Sequence, residues 1–230
     1  MSPKKDNVAS RATELLREGI LFGTWVPGAR LSPAALSKHF QLSTTIIRES
    51  LTRLAGEGLI SIIPNRGFFI PELSLRELSD LTELRIASET LALRLSLTRG
   101  DLQWESNLIS AHHVLARTER RPESDPRHFT PKWESRHQAF HRALIAGSDF
   151  ETIVSLSANL ATKTSLYRQW AAPSPAAQKR DIELEHQSIL DAALSRDIDK
   201  TVELLSTHYQ KTVDVVLESG LAAEVSHSAP

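Results

Sequence analysis

Residues 23–70, GTWVPGARLSPAALSKHFQLSTTIIRESLTRLAGEGLISIIPNRGFFI, hold the pattern on which the fold turns. Pro33 suits the first turn of a short helix over 33–40, with Ser32 as its N-cap. Gln41 and Leu42 leave room only for a tight turn. Ser43 then caps a helix over about 44–57, although Ile46 stands where a capping box would place Glu. Ile47, Leu51 and Leu54 recur at i, i+4 and i+7 and predict one buried face; Gly56 and Gly58 end the helix. In LISIIPNRGFFI, two β-branched and aromatic runs flank Pro64-Asn65-Arg66-Gly67, which predicts a hairpin with a four-residue turn and a positive φ at Gly67.

Two helices joined by a tight turn, the second starting on short hydroxylated residues, form a helix-turn-helix pattern, and the hairpin adds a wing. Such a second helix enters the major groove by its N-terminal end, where short polar side chains let the backbone approach. Ser43, Thr44 and Thr45 offer hydroxyls to phosphates or base edges, and Arg48, one turn on, reaches a guanine edge or a phosphate. Asn65, Arg66 and Gly67 place one cation on a turn that can lie along the backbone or minor groove. On spacing alone the same residues also fit a helical bundle with an attached hairpin, in which Ser-Thr-Thr is only a cap.

Outward from this core, Val8, Ala12, Leu15, Leu16 and Ile20 fall on one stripe of a helix over 8–22, and Pro71-Glu72-Leu73 reads as a linker. From Ser74 onward every signal is helical. Ser74 and Glu77 make a capping box for a helix to about 98, and Asp101 caps the next to about 120. A Pro-rich loop over 121–131 precedes a helix from Pro131, capped by Thr130 and ended by Gly147. Ser148 and Glu151 box a helix to about 171, Pro175 opens one to about 195, and Asp197 caps a last helix to about 218. The tail AAEVSHSAP is expected to be disordered. The predicted architecture is mainly α: a winged helix-turn-helix domain over 1–72, then an all-α bundle of six to seven helices over 73–230.

The chain has 230 residues, 40% of them hydrophobic and 24% charged, which is ordinary for a globular protein able to bury two cores. It has no cysteine, so disulfides, thiol nucleophiles and Cys-based zinc sites are excluded. No apolar run approaches the ~20 residues of a membrane span, and MSPKKDNVAS lacks the apolar segment of a secretory signal; the expected location is cytoplasmic, with no membrane partner. The net charge is −1, but residues 1–72 carry 9 Lys and Arg against 6 Asp and Glu, and the remainder 18 against 22. The resulting +3 and −4 put the excess cation on the half that would meet phosphate.

Nine histidines leave His, Asp and Glu as the available metal ligands. His137 and His141 lie one turn apart on one helix face, where two imidazoles can share an ion. His186 and His208 lie on two later helices, and inward imidazoles from three helices are a normal way to build a metal site in a bundle. Taken singly, each is as readily a solvated or hydrogen-bonded side chain. The run HQAFH differs from the metalloprotease H-E-x-x-H at Gln138, where the general base should stand, which argues against a hydrolase.

The pieces Pro27-Gly28, Arg30-Leu31, Leu42-Ser43, Ile47-Arg48-Glu49-Ser50-Leu51, Leu54, Glu57-Gly58-Leu59 and Arg66-Gly67, in this order, resemble the winged helix-turn-helix of the GntR superfamily. Two departures stand out: Thr44 replaces the Arg of many relatives, and Ala34-Ala35 replaces an acidic-basic pair, so no operator sequence carries over. Residues 75–218 resemble the helical ligand-binding FCD domain of the FadR-type branch. Its metal-binding members carry Asp-x-x-x-His on one helix and a His on each of the last two. Phe140-His141, His186 and His208 match, and His137 occupies the Asp slot. The resemblance thus implies a divalent metal, and a four-nitrogen set suits Zn²⁺ or Ni²⁺ better than Mn²⁺; alternatively His137 turns away and water or Glu134 substitutes. The wording around RHQAFH is most similar to members linked to dicarboxylate catabolism. Arg85 and Arg168 match positions where the family keeps an Arg, which implies a small carboxylate effector, possible salt-bridge residues though they also are. A homodimer on a twofold-symmetric double-stranded operator follows from the same resemblance. A metal sensor without an organic effector, a His-ligated metalloenzyme and a purely structural helical protein are the competing readings.

Overall fold

The computed structural model describes residues 3–220, with side chains from residue 8 onward; the tail expected to be disordered lies outside the described residues. The chain divides into two compact units, Met1–Leu73 and Ser74–Pro230.

In the first unit, α1 (Pro3–Leu21) packs on α3 (Thr44–Gly56), and α2 (Pro33–Phe40) packs on α3 from another side. Helix α1 begins before the predicted start. Ala12, Leu16 and Ile20 are buried as their stripe predicts, whereas Val8 and Leu15 are exposed at its edges. Ile47, Leu51 and Leu54 are fully buried on α3, and together with Leu16, Leu31, Leu59 and Ile70 they form the core. Burying a Leu or Ile side chain contributes about 1.5–3 kcal/mol, so this seam holds α3 firmly against its neighbours. Gln41 closes α2 in the left-handed region at φ 54°, and the Ser37 hydroxyl donates to the Leu42 carbonyl at 2.6 Å, which pins the turn.

The wing is larger than a hairpin. Strand β1 (Arg30–Leu31) pairs antiparallel with β3 (Gly67–Phe69), whose other edge pairs with β2 (Ser61–Ile63), giving the order β1-β3-β2. Ile63 pairs with Gly67, so the connection is Pro64-Asn65-Arg66 and Gly67 belongs to the strand. Asn65 and Gly67 both take positive φ, 59° and 106°. A two-residue strand carries no period-two signal, which is why β1 escapes a sequence reading.

The second unit is a bundle of α4 (Leu75–Arg99), α5 (Leu102–Ala116), α6 (Pro131–Ala146), α7 (Glu151–Ala171), α8 (Pro175–Lys179), α9 (Ile182–Leu194) and α10 (Ile198–Glu218). Helix α4 is central, packing on α6, α7 and α10, while α5 covers α6 and α9. Trp104 locks one end: its indole N–H donates to the Ala143 carbonyl at 2.9 Å, and a Cβ at Gly100 would stand 2.5 Å from its ring.

Three predicted boundaries change. Helix α5 stops at Ala116, and the following loop is drawn onto the bundle by Arg120 and Arg121, whose guanidiniums lie over the Phe129 ring. The single helix expected over 175–195 is two, because Arg180 turns extended and Asp181 starts α9 by accepting the Leu184 N–H at 3.0 Å. Helix α7 has no capping box: Asp149 takes φ 55°, Phe150 is the N-cap, and the Ser148 hydroxyl accepts from the Phe150 N–H.

Candidate DNA-reading surface and four-imidazole centre

Ser43, Thr44, Thr45 and Arg48 are all exposed on the first two turns of α3, opposite its buried seam. Ser43 is the N-cap, its hydroxyl oxygen accepting the Ile46 N–H at 3.3 Å, which leaves its O–H free to donate outward. Asn65 and Arg66 are exposed at the tip of the wing, and Gly67 is half-buried behind them. Glu49, Thr52 and Arg53 are exposed on α3 as well and were not singled out from the sequence.

In the second unit, His137 and His141 on α6, His186 on α9 and His208 on α10 are all buried, and one ring nitrogen of each lies within 4.8 Å of the other three. His137 Nε2 and His141 Nε2 are 3.1 Å apart, a spacing compatible with two donors to one ion at bonds of about 2.0–2.1 Å. His137 turns inward, its ring stacked on Trp133 at 4.9 Å between centroids, and Glu134 is outside the set.

The surroundings assign tautomers. Glu185 accepts from His208 Nδ1 at 2.8 Å, so that nitrogen carries the proton and Nε2 keeps its lone pair. The Tyr209 hydroxyl donates to Glu89 and lies 3.0 Å from His141 Nδ1, from which it can accept, again freeing Nε2. His137 Nδ1 and His186 Nε2 are buried without a partner. Four neutral imidazoles, two carrying orphaned buried nitrogens and two held by outer-shell acceptors, fit a divalent transition-metal ion as donors.

Arg85 and Arg168 reach the same region, and both are already paired. Arg85 on α4 donates to Glu89 at 2.6 Å, to Thr164 at 3.1 Å and to Tyr209 at 3.2 Å; Arg168 on α7 pairs with Glu134. Arg180, in the break between α8 and α9, holds Glu185 and donates to the His208 carbonyl. Glu89, Glu185, Arg180 and Tyr209 were not found from the sequence. The one signal for them was adjacency, since Glu185 and Tyr209 each neighbour a metal-candidate His and Glu89 lies i+4 from Arg85.

Burial pushes all four imidazoles down: His137, His141 and His208 well below their ordinary range and His186 to about 3, with the other cationic groups around them adding to the effect. The unfolded chain therefore binds more protons than the folded one below about pH 6.5, so stability must fall as pH falls through that point. The metal-stripped protein should show its melting temperature dropping steadily between pH 7 and pH 5. A flat profile over that range would mean the imidazoles are hydrated.

The sequence model described as "Bacterial regulatory proteins, gntR family" matches residues 8–70, and that of the FCD domain matches residues 80–211. The chain belongs to the GntR family. It is a transcriptional regulator of the GntR/FCD type with a DNA-binding domain, not an enzyme. Among its relatives, the HTH-type transcriptional regulator BphR of Paraburkholderia xenovorans is 33% identical over 208 residues, 90% of this chain and 84% of that protein. The HTH-type transcriptional repressor GlaR of Escherichia coli is 26% identical over 89% of this chain and 93% of that protein. The solved structure of Escherichia coli McbR/YncC shares the fold at a TM-score of 0.72 and 19% identity, covering 91% of this chain and 97% of that one. GntR regulators bind DNA and FCD domains bind small-molecule effectors. Among the described residues, no helix is long and apolar enough to cross a membrane.

Proposed function

We propose that this GntR/FCD protein is a cytoplasmic repressor whose hold on a twofold operator is set by a small dicarboxylate bound at a His-ligated metal. The observation that carries this reading is the convergence of four buried imidazoles with Arg85 and Arg168. A divalent ion held by His137, His141, His186 and His208, Zn²⁺ or Ni²⁺ by its donor set, supplies charge and coordination positions for a carboxylate. Around it the protein charges cancel: Arg85 with Glu89, Arg168 with Glu134, Arg180 with Glu185, and neutral imidazoles. Two uncompensated positive charges in a buried site are costly, and a dianion offsets both where a monocarboxylate offsets one.

The repressor sense follows the related transcriptional repressor GlaR. Dimerisation draws on α4, where Leu84 and Leu91, seven residues apart on one face, are 48% and 49% exposed. The effector would act by favouring one arrangement of the paired winged domains over another.

The test is a thermal-shift titration of the metal-loaded and metal-stripped chain with C2–C6 mono- and dicarboxylates. Stabilisation by a dicarboxylate, only in loaded protein and with operator release, is the expected result. Release by metal alone, indifferent to every carboxylate, would instead make the ion the signal.

For the DNA half, Arg48→Ala should weaken binding to an operator selected in vitro by roughly 5- to 150-fold if Arg48 reads a base, with relaxed preference at that base pair. If it holds a phosphate, the loss is uniform and the salt slope shrinks by about one. Unchanged binding in a salt titration would remove Arg48 from the interface.

A further inference from the structure

Two cavities flank the four-imidazole centre, and their linings have opposite chemistry. One, of about 20 Å³, is lined by Arg120, Arg168 and Arg180, each paired with a glutamate that lies outside the lining. The other, of about 370 Å³, opens between α5, α6 and α9 and has no Lys or Arg in its lining. His112, Trp133 and His186 form its buried inner wall, and Asp181, Glu183 and Gln187 stand exposed at its mouth. His186 is 98% buried by its 2% exposure, and its Nε2 has no partner. The other three imidazoles of the centre line neither cavity.

From this contrast we infer that the larger cavity is the portal through which a divalent cation reaches the four-imidazole centre. The inference rests on the proposed metal site and adds its route of filling. A hydrated cation needs oxygen and nitrogen donors along its path and no like charge. The Asp181 carboxylate and Gln187 carboxamide at the exposed mouth and the buried His112 and His186 imidazoles on the inner wall provide these. Glu183 is partly neutralised by Arg120 at 2.9 Å, which leaves Asp181 as the principal attracting charge. A carboxylate entering by the same mouth would be repelled by Asp181.

A path, unlike a ligand, changes rates without changing equilibrium. In the full-length, metal-stripped protein, Ala116→Trp would plug the cavity at an exposed lining position. Stopped-flow uptake of Zn²⁺, and its chelator-driven release, should then slow together by about tenfold or more while Kd stays within about twofold. Asp181→Asn keeps the oxygen that caps α9 and should slow uptake by several-fold at low salt, with the difference vanishing at high salt. Val215→Trp, on the arginine-lined cavity, should leave both metal rates unchanged. Unaltered rates in Ala116→Trp, or slowing in Val215→Trp alone, would overturn the portal with the metal site intact. A wild-type chain that takes up no Zn²⁺ or Ni²⁺ would overturn the proposed metal site and the portal with it.

Discussion

His141→Ala is expected to weaken Zn²⁺ or Ni²⁺ binding by at least about 100-fold, because losing even an outer-shell partner of a metal-bound His typically costs 10–100-fold and His141 is itself a proposed donor. His141 is central to the cluster: its ring centroid lies 4.6 Å from that of His137, 5.0 Å from His208 and 5.4 Å from His186. Its Nδ1 side is held by Tyr209, so truncation also frees the hydroxyl that links the centre to Glu89 and Arg85. A competition titration against a chromophoric chelator reads the loss directly. His113→Ala, at an exposed position on α5, serves as the matched control and should leave affinity unchanged. Equal affinity in wild type and His141→Ala would end the metal assignment. Because the truncation leaves a buried cavity, a thermal melt of the metal-stripped variant at neutral pH checks that it is folded before its affinity is compared.

The second large effect is on stability. Arg168→Ala should cost about 3–5 kcal/mol in urea unfolding, because it strands Glu134 as an unpaired charge in the interior. Glu134 is 2% exposed, and without Arg168 the neutral Gln138 carboxamide, donating to its Oε1 at 3.0 Å, is too weak a partner for a buried charge. Desolvation lowers the Arg168 pKa against the pull of Glu134, with the nearby Arg85 adding to it, so burial of the charge costs part of what the pairing contributes. The double variant Arg168→Met/Glu134→Leu should therefore recover most of the loss, as apolar replacements of buried ion pairs often do. On the proposed function, that double variant folds and binds DNA yet no longer responds to a dicarboxylate. A single Arg168→Ala costing under about 1 kcal/mol would show that the pair is hydrated in solution.

These effects separate what is local from what is not. The α3 seam of Ile47, Leu51 and Leu54, the caps at Ser32, Ser43, Ser74 and Asp197, and the hairpin around Asn65 and Gly67 were legible because each depends on residues within a turn or two. The break at Arg180 was not legible. The Asp181 cap is the only local sign of it in PAAQKRDIELEH, and what holds the chain extended there is the long-range reach of Arg180 to Thr212 and His208 on α10. The missing cap at Ser148 has a similar origin: Arg99 claims its carbonyl at 2.9 Å, and Asp149 turns left-handed.

The amino-acid order alone determined that this chain pairs a winged helix-turn-helix with a helical bundle, and that α6 carries two imidazoles on one face. Period, caps and turn residues act over distances the backbone itself sets, so they can be read along the chain. Only the tertiary structure decided that His137 faces inward rather than yielding to Glu134, that His186 and His208 meet it from α9 and α10, and that Arg85 and Arg168 are already neutralised by Glu89 and Glu134. Whether side chains from different helices share one point depends on how those helices cross and which buried charges find partners, and that is settled by packing among residues as much as 124 positions apart.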